Sequence, residues 1–186
     1  METNTMTKRI PTEKIVLWVA IASMIMMFAG LTSGYIVRKA EGNWTVFALP
    51  SVFTISTVLI VLSSLTMNMG VQAAKAGNSA RLSIMLWLTL ILGSGFAISQ
   101  YMGWVSLVQQ GVYLVGNPSG SFLYVLTGLH LAHLFGGLIA LLVTAIKASN
   151  KKYDANNFLG VQLCATYWHF LDGLWVYLFL FLLLMR

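Results

Sequence analysis

The sequence predicts an all-α membrane protein, a bundle of five transmembrane helices forming a single domain over residues 1–186, and three observations predict it. The first is composition: 58% of the residues are hydrophobic and 9% charged, and mean hydropathy is +0.80. A soluble chain carries roughly 25% charged residues, so this one lacks the charge to cover a water-facing surface. The second is the spacing of the charges. An ionised side chain at mid-bilayer costs several kcal/mol and therefore marks segment ends. Ile15–Val37, Gly42–Ala74 and Leu82–Ile146 have no charged residue, and Ala155–Met185 has only Asp172. The third is a turn-rich run, Gln109-Gln110-Gly111 followed by Gly116-Asn117-Pro118-Ser119-Gly120, which divides the longest gap in two.

A helix needs about 20 apolar residues to cross a bilayer, so the spans fall at about 15–37, 47–69, 82–109, 123–147 and 157–185. The first has about 23 apolar residues, too many for a signal-peptide core, and no small-x-small cleavage site follows it; it is expected to be retained. Pro50 stands at the start of the second, where its missing N–H leaves no helical bond unmade. The third and fifth exceed the hydrocarbon thickness and should tilt or protrude. Basic residues outside the spans set the orientation: Lys8, Arg9, Lys14, Lys75, Arg81, Lys147, Lys151 and Lys152 collect on one side, and Arg38, Lys39 and Arg186 on the other. That bias places the N-terminus in the cytoplasm and the C-terminus outside, in the periplasm for a bacterial inner membrane.

The composition also excludes functions. The net charge of +6 comes from eleven Lys and Arg scattered in ones and twos, which argues against nucleic acid as a partner. A single cysteine, Cys164, rules out an internal disulfide and any Cys-rich metal site. No phosphate-binding Gly loop and no nucleophile with base and orienter occurs.

The candidates for function are four ionisable residues inside the spans: His130 and His133 on the fourth, His169 and Asp172 on the fifth. Each pair is spaced i, i+3 and shares a helix face. His133 and Asp172 lie at similar depth, about 20 and 22 Å from the same membrane side at 1.5 Å per residue. Haem or metal ligation is one reading of the histidines. The favoured reading is a buried polar cluster stapling spans four and five, because two histidines three apart cannot grip one haem iron from both faces and no further acidic ligand is available at that depth. On the favoured view no metal or cofactor is assigned to this chain. Gly30 and Gly34 form a GxxxG that would let a second helix approach. Of the six tryptophans, Trp44 best suits an interfacial belt; Trp168 and Trp175 sit too deep.

These residues resemble a known family. Tyr167-Trp168-His169-Phe170-Leu171-Asp172-Gly173-Leu174-Trp175 is similar to the last-helix signature of haem-copper oxidase subunit III, which reads close to YWHFVDVVW. Thr127-Gly128-Leu129-His130-Leu131-Ala132-His133 resembles that family's TGFHGLH, and Leu86-Trp87-Leu88-Thr89 with Gln100-Tyr101 and Trp104, and Leu49-Pro50 with Ser63-Ser64-Leu65-Thr66, follow in order. Five spans match the family's short bacterial form. The resemblance implies a subunit without a redox centre, beside subunits I and II of a terminal oxidase that hold the haem and copper, binding phospholipid and supporting proton uptake. Cytochrome c is the expected donor, with quinol the alternative; an autonomous haem b carrier and a small transporter are competing classes, the latter disfavoured by the lack of a repeat. Two positions depart from the family. Met24 and Gly103 stand where it usually places glutamates, so no carboxylate role is expected at either.

Overall fold

The computed structural model describes residues 11–155 and 157–185. It contains five helices: α1 Thr12–Ala40, α2 Val52–Lys75, α3 Ser79–Gln109, α4 Pro118–Ser149 and α5 Leu159–Met185. All five are long and apolar enough to cross a membrane, and no strand occurs among the described residues. The fold class expected from the sequence is the one observed.

The helix ends follow local chemistry. The second helix begins at Val52 rather than near 47, because the residue before a proline is pushed out of the α region; Phe47-Ala48-Leu49 stays non-helical and the Pro50 carbonyl accepts the first bond, from Phe53 N–H at 3.0 Å. The turn into α3 is a helix-stop motif followed at once by a helix start. Gly77 adopts φ +68°, the Asn78 N–H bonds the Ala73 carbonyl at 3.0 Å, and the Asn78 side chain caps α3 by accepting from Arg81 N–H at 3.0 Å. Pro118 opens α4 in the first turn behind Asn117. The Asn117 carboxamide also accepts from Thr45 N–H at 3.3 Å and donates to the Asn43 carbonyl at 3.2 Å, tying the α1–α2 connection to the start of α4. With 31 and 32 residues, α3 and α4 are the longest helices, about 46–48 Å at 1.5 Å per residue, and must tilt or protrude from a hydrocarbon core of about 30 Å.

Packing divides the molecule in two. Helices α2, α3, α4 and α5 touch in a closed ring, each against its two neighbours, while α1 touches only α4 and α5. The ring's interior is filled across the diagonal by aromatic side chains of α5. Trp168 and Trp175 are fully buried, with Phe53 of α2 and Phe96 of α3 beside them; Phe53 stacks on Trp175 at 6.2 Å and Phe96 meets it edge-on at 5.0 Å. Helix α1 attaches by one stripe, Ile21, Met24, Phe28, Thr32 and Tyr35, at the three- and four-residue spacing of a single helix face.

Candidate functional site

Hydrocarbon cannot supply hydrogen bonds, so each polar side chain in these helices needs a partner inside the protein. One arrangement recurs. A Ser or Thr hydroxyl donates to a carbonyl of its own helix three or four residues back, and its oxygen accepts from an aromatic donor on another helix. Trp168 donates to Ser63 at 3.0 Å, Trp175 to Thr57 at 3.0 Å, Trp104 to Thr127 at 3.0 Å and Trp87 to Ser149 at 3.1 Å. Ser63, Thr57, Thr127 and Ser149 in turn bond the carbonyls of Ile60, Phe53, Leu123 and Ala145. Tyr177 does the same to Thr32, at 3.1 Å, and so fastens α5 to α1. Thr66 with Thr89 at 2.8 Å, and Gln100 with Ser56 at 2.8 Å, link α2 to α3.

The four ionisable residues singled out in the sequence are distributed rather than gathered between α4 and α5. His130 is fully buried against Phe96, at 5.9 Å between ring centroids, and Trp175, at 5.2 Å, and neither ring nitrogen has a hydrogen-bond partner. The His133 Nδ1 bonds the Leu129 carbonyl of its own helix at 2.7 Å, and its ring meets Phe28 of α1 edge-on at 6.0 Å. The His169 Nδ1 bonds the Ser64 hydroxyl of α2 at 2.7 Å. Asp172 is 5% exposed, and neither carboxyl oxygen makes a hydrogen bond of normal geometry, although Ser64 stands beside it. The pairing of Asp172 with His133 expected from their depths is therefore not made. Depth does not fix the direction in which a side chain leaves its helix. The α4–α5 seam is occupied instead by Leu171, Tyr167 and Trp168, which close over the bare backbone of Gly137.

The glycines redistribute in the same way. A Cβ at Gly30 would meet nothing within 4 Å, and one at Gly34 only the Phe122 ring, at 3.7 Å. The close approaches are elsewhere: at Gly93 a Cβ would lie 2.6 Å from the Trp168 ring, at Gly137 2.9 Å from Leu171, and at Gly103 3.0 Å from Phe53. Gly103 thus leaves room for the Phe53 ring. Met24 is buried on α1, filling its site without the desolvation cost of an acid.

The functional group that sequence reasoning passed over is Ser64, half-buried on α2 between His169 and Asp172. Its signal was present: a serine pair, Ser63-Ser64, in mid-span, one member for the indole of Trp168 and the other for the histidine. Beside it runs a groove of about 500 Å³ between α1, α2 and α5, lined by Lys14, Lys75, Asn68, Gln162, Thr166 and His169 among others. No group of three or more His, Cys, Asp and Glu able to hold a metal ion occurs among the described residues.

Fold and site together define a polytopic all-α membrane protein whose interior polar groups are engaged mainly in joining helices. The comparisons with known proteins then place it. The family described as cytochrome c oxidase subunit III matches residues 43–185. A probable cytochrome c oxidase subunit 3 from Nocardia farcinica is 34% identical over 170 residues, covering 88% of this chain and 82% of that protein. Cytochrome c oxidase subunit 3 of Corynebacterium diphtheriae is 30% identical, covering 87% and 82%, and that of Bacillus sp. PS3 is 27% identical, covering 90% and 83%. The chain belongs to the cytochrome c oxidase subunit III family.

Proposed function

We propose that this chain is the non-catalytic subunit III of a bacterial respiratory oxidase that takes electrons from cytochrome c and reduces oxygen to water, standing beside subunits I and II, which hold the haem and copper. The family match across all but the first helix carries the reading. On this reading the haem and copper belong to the partner subunits; in this chain aromatic rings wall in His130. The subunit's role is then to stabilise the catalytic subunit, to bind phospholipid and to support proton uptake. An apolar groove along the outer face of α1, lined by Val16, Leu17, Ala20 and Leu163, offers a seat for an acyl chain. The basic-residue bias puts the end bearing Lys14, Lys75, Arg81 and Lys147 in the cytoplasm.

Purification in mild detergent tests the assignment. An oxidase subunit arrives with larger haem-bearing partners; recovery alone with a haem spectrum of its own would make it an electron carrier instead. A reporter fused after Arg186 should be active on the periplasmic side, and a cytoplasmic signal would reverse the topology.

A further inference from the structure

The buried carboxyl of Asp172 is the one acidic group within the described helices away from their ends. At 5% exposure and with no hydrogen bond to either oxygen, its charged form would stand at mid-bilayer without a counter-charge. Yet it is two contacts from the surface. Ser64 adjoins it, His169 bonds Ser64 at 2.7 Å, and the His169 ring lines the groove that opens between Lys14 and Lys75. The depths agree: Ser64 lies 11 residues inward from Lys75 and Asp172 lies 13 inward from Leu159, about 16 and 20 Å at 1.5 Å per residue. With about 500 Å³ the groove has room for several waters, each needing about 30 Å³ and polar partners, and Asn68, Gln162 and Thr166 supply those partners along its wall.

We propose that His169, Ser64 and Asp172 form a proton relay that connects the groove between α1, α2 and α5 to a buried, proton-exchanging carboxyl. A proton is taken up at His169 Nε2 from water in the groove. The Nδ1 proton passes to the Ser64 oxygen as the Ser64 hydroxyl hydrogen, after rotation about one torsion, passes to the Asp172 carboxylate. The reverse sequence returns it, so one O–H bond forms for each that breaks and no electron moves. The other charged and titratable groups on the helices packed against α5 do not interrupt the path. Lys14 and Lys75 stand at its mouth, Arg38 and Lys39 lie at the far end of α1, Lys147 lies in the last turn of α4, and His130 and His133 face aromatic rings. The relay gives a specific site to the proton-uptake role proposed above, but the geometry does not depend on that role.

The test is infrared spectroscopy of the purified complex during transfer into deuterated buffer. A protonated carboxyl in apolar surroundings has a C=O band apart from ionised carboxylates, and its position shifts on deuteration. The band should be present in the native complex, absent in Asp172→Asn, and should exchange promptly; Ser64→Ala and His169→Phe should each slow its exchange about tenfold, the loss of one hydrogen-bonded carrier. Should Asp172→Asn not assemble, Ser64→Ala alone decides, because removing the neighbouring hydroxyl slows exchange of the protonated-carboxyl band. A native complex without the band, or a band whose exchange is unchanged by Ser64→Ala, would overturn the relay. If no haem-bearing partner co-purifies, the proposed function fails while the band still reports on Asp172 in whatever assembly holds the chain.

Discussion

The four-helix ring and the docked helix α1 are built from equally apolar sequence, yet they are held differently. Within the ring, glycines on α3 and α4 admit the side chains of α5, and the indoles of Trp168 and Trp175 reach hydroxyls on α2. Helix α1 has one buried stripe, a Tyr177–Thr32 bond, and a tie at its far end, where Tyr35 and Lys39 donate to the Met185 carbonyl. The difference teaches that apolarity does not sort helices in a bilayer, since lipid is as apolar as a leucine. Shape and hydrogen bonds do, and they are concentrated in the ring.

That contrast can be broken most directly at Gly93. A methyl there would sit 2.6 Å from the Trp168 ring, and the ring cannot retreat inside a packed core. Gly93→Ala should cost about 1–3 kcal/mol as overpacking, read as a fall in the thermal midpoint of the detergent-solubilised complex. A wild-type midpoint would mean the ring is looser than its packing implies.

Removing a ring hydrogen bond should have a smaller effect. Trp168→Phe keeps most of the aromatic volume but loses the donor to Ser63; the expected cost is about 1 kcal/mol. Trp175→Phe should match it through Thr57, and because the two bonds have no shared partner, the double variant should be near the sum. On the α1 side, Tyr177→Phe removes the bond to Thr32 and should cost about 0.6 kcal/mol, the average between membrane helices. A loss as large as that at Trp168 would erase the distinction between ring and docked helix.

Two substitutions should do almost nothing to stability, and their neutrality sharpens the comparison. His130→Phe replaces an imidazole that bonds nothing with a ring of similar shape among Phe96 and Trp175, so the midpoint should hold or rise. Gly30→Ala adds a methyl where nothing lies within 4 Å; a change within about 0.5 kcal/mol is expected. A large loss at Gly30 in the whole complex, but not in the isolated chain, would locate a second subunit on that face of α1.

The sequence by itself determined the fold class, the number of helices and most of their ends. Those follow from quantities summed along the chain: charge-free runs long enough to span, and the turn-rich run from Gln109 to Gly120 that divides the longest of them. It also determined the family, through an ordered string of short motifs. The start of α2 was misplaced by about five residues, because Phe47 to Leu49 is apolar but conformationally constrained by the proline that follows; its end, expected near 69, lies at Lys75, and α4, expected from about 123, begins at Pro118, because both helices continue past the apolar stretch into polar residues. Only the tertiary structure decided which polar groups meet. Helical spacing places His133, His169 and Asp172 on helix faces and at depths, but each helix remains free to rotate about its axis until its neighbours are fixed. That rotation is set by where Trp168 and Leu171 find the bare backbones of Gly93 and Gly137. Once they are seated, His169 falls on Ser64 of α2, His133 turns back to Leu129, and His130 is enclosed by rings. The steric fit of a few large and small side chains, which no single-helix periodicity contains, chose the partners of the charged ones.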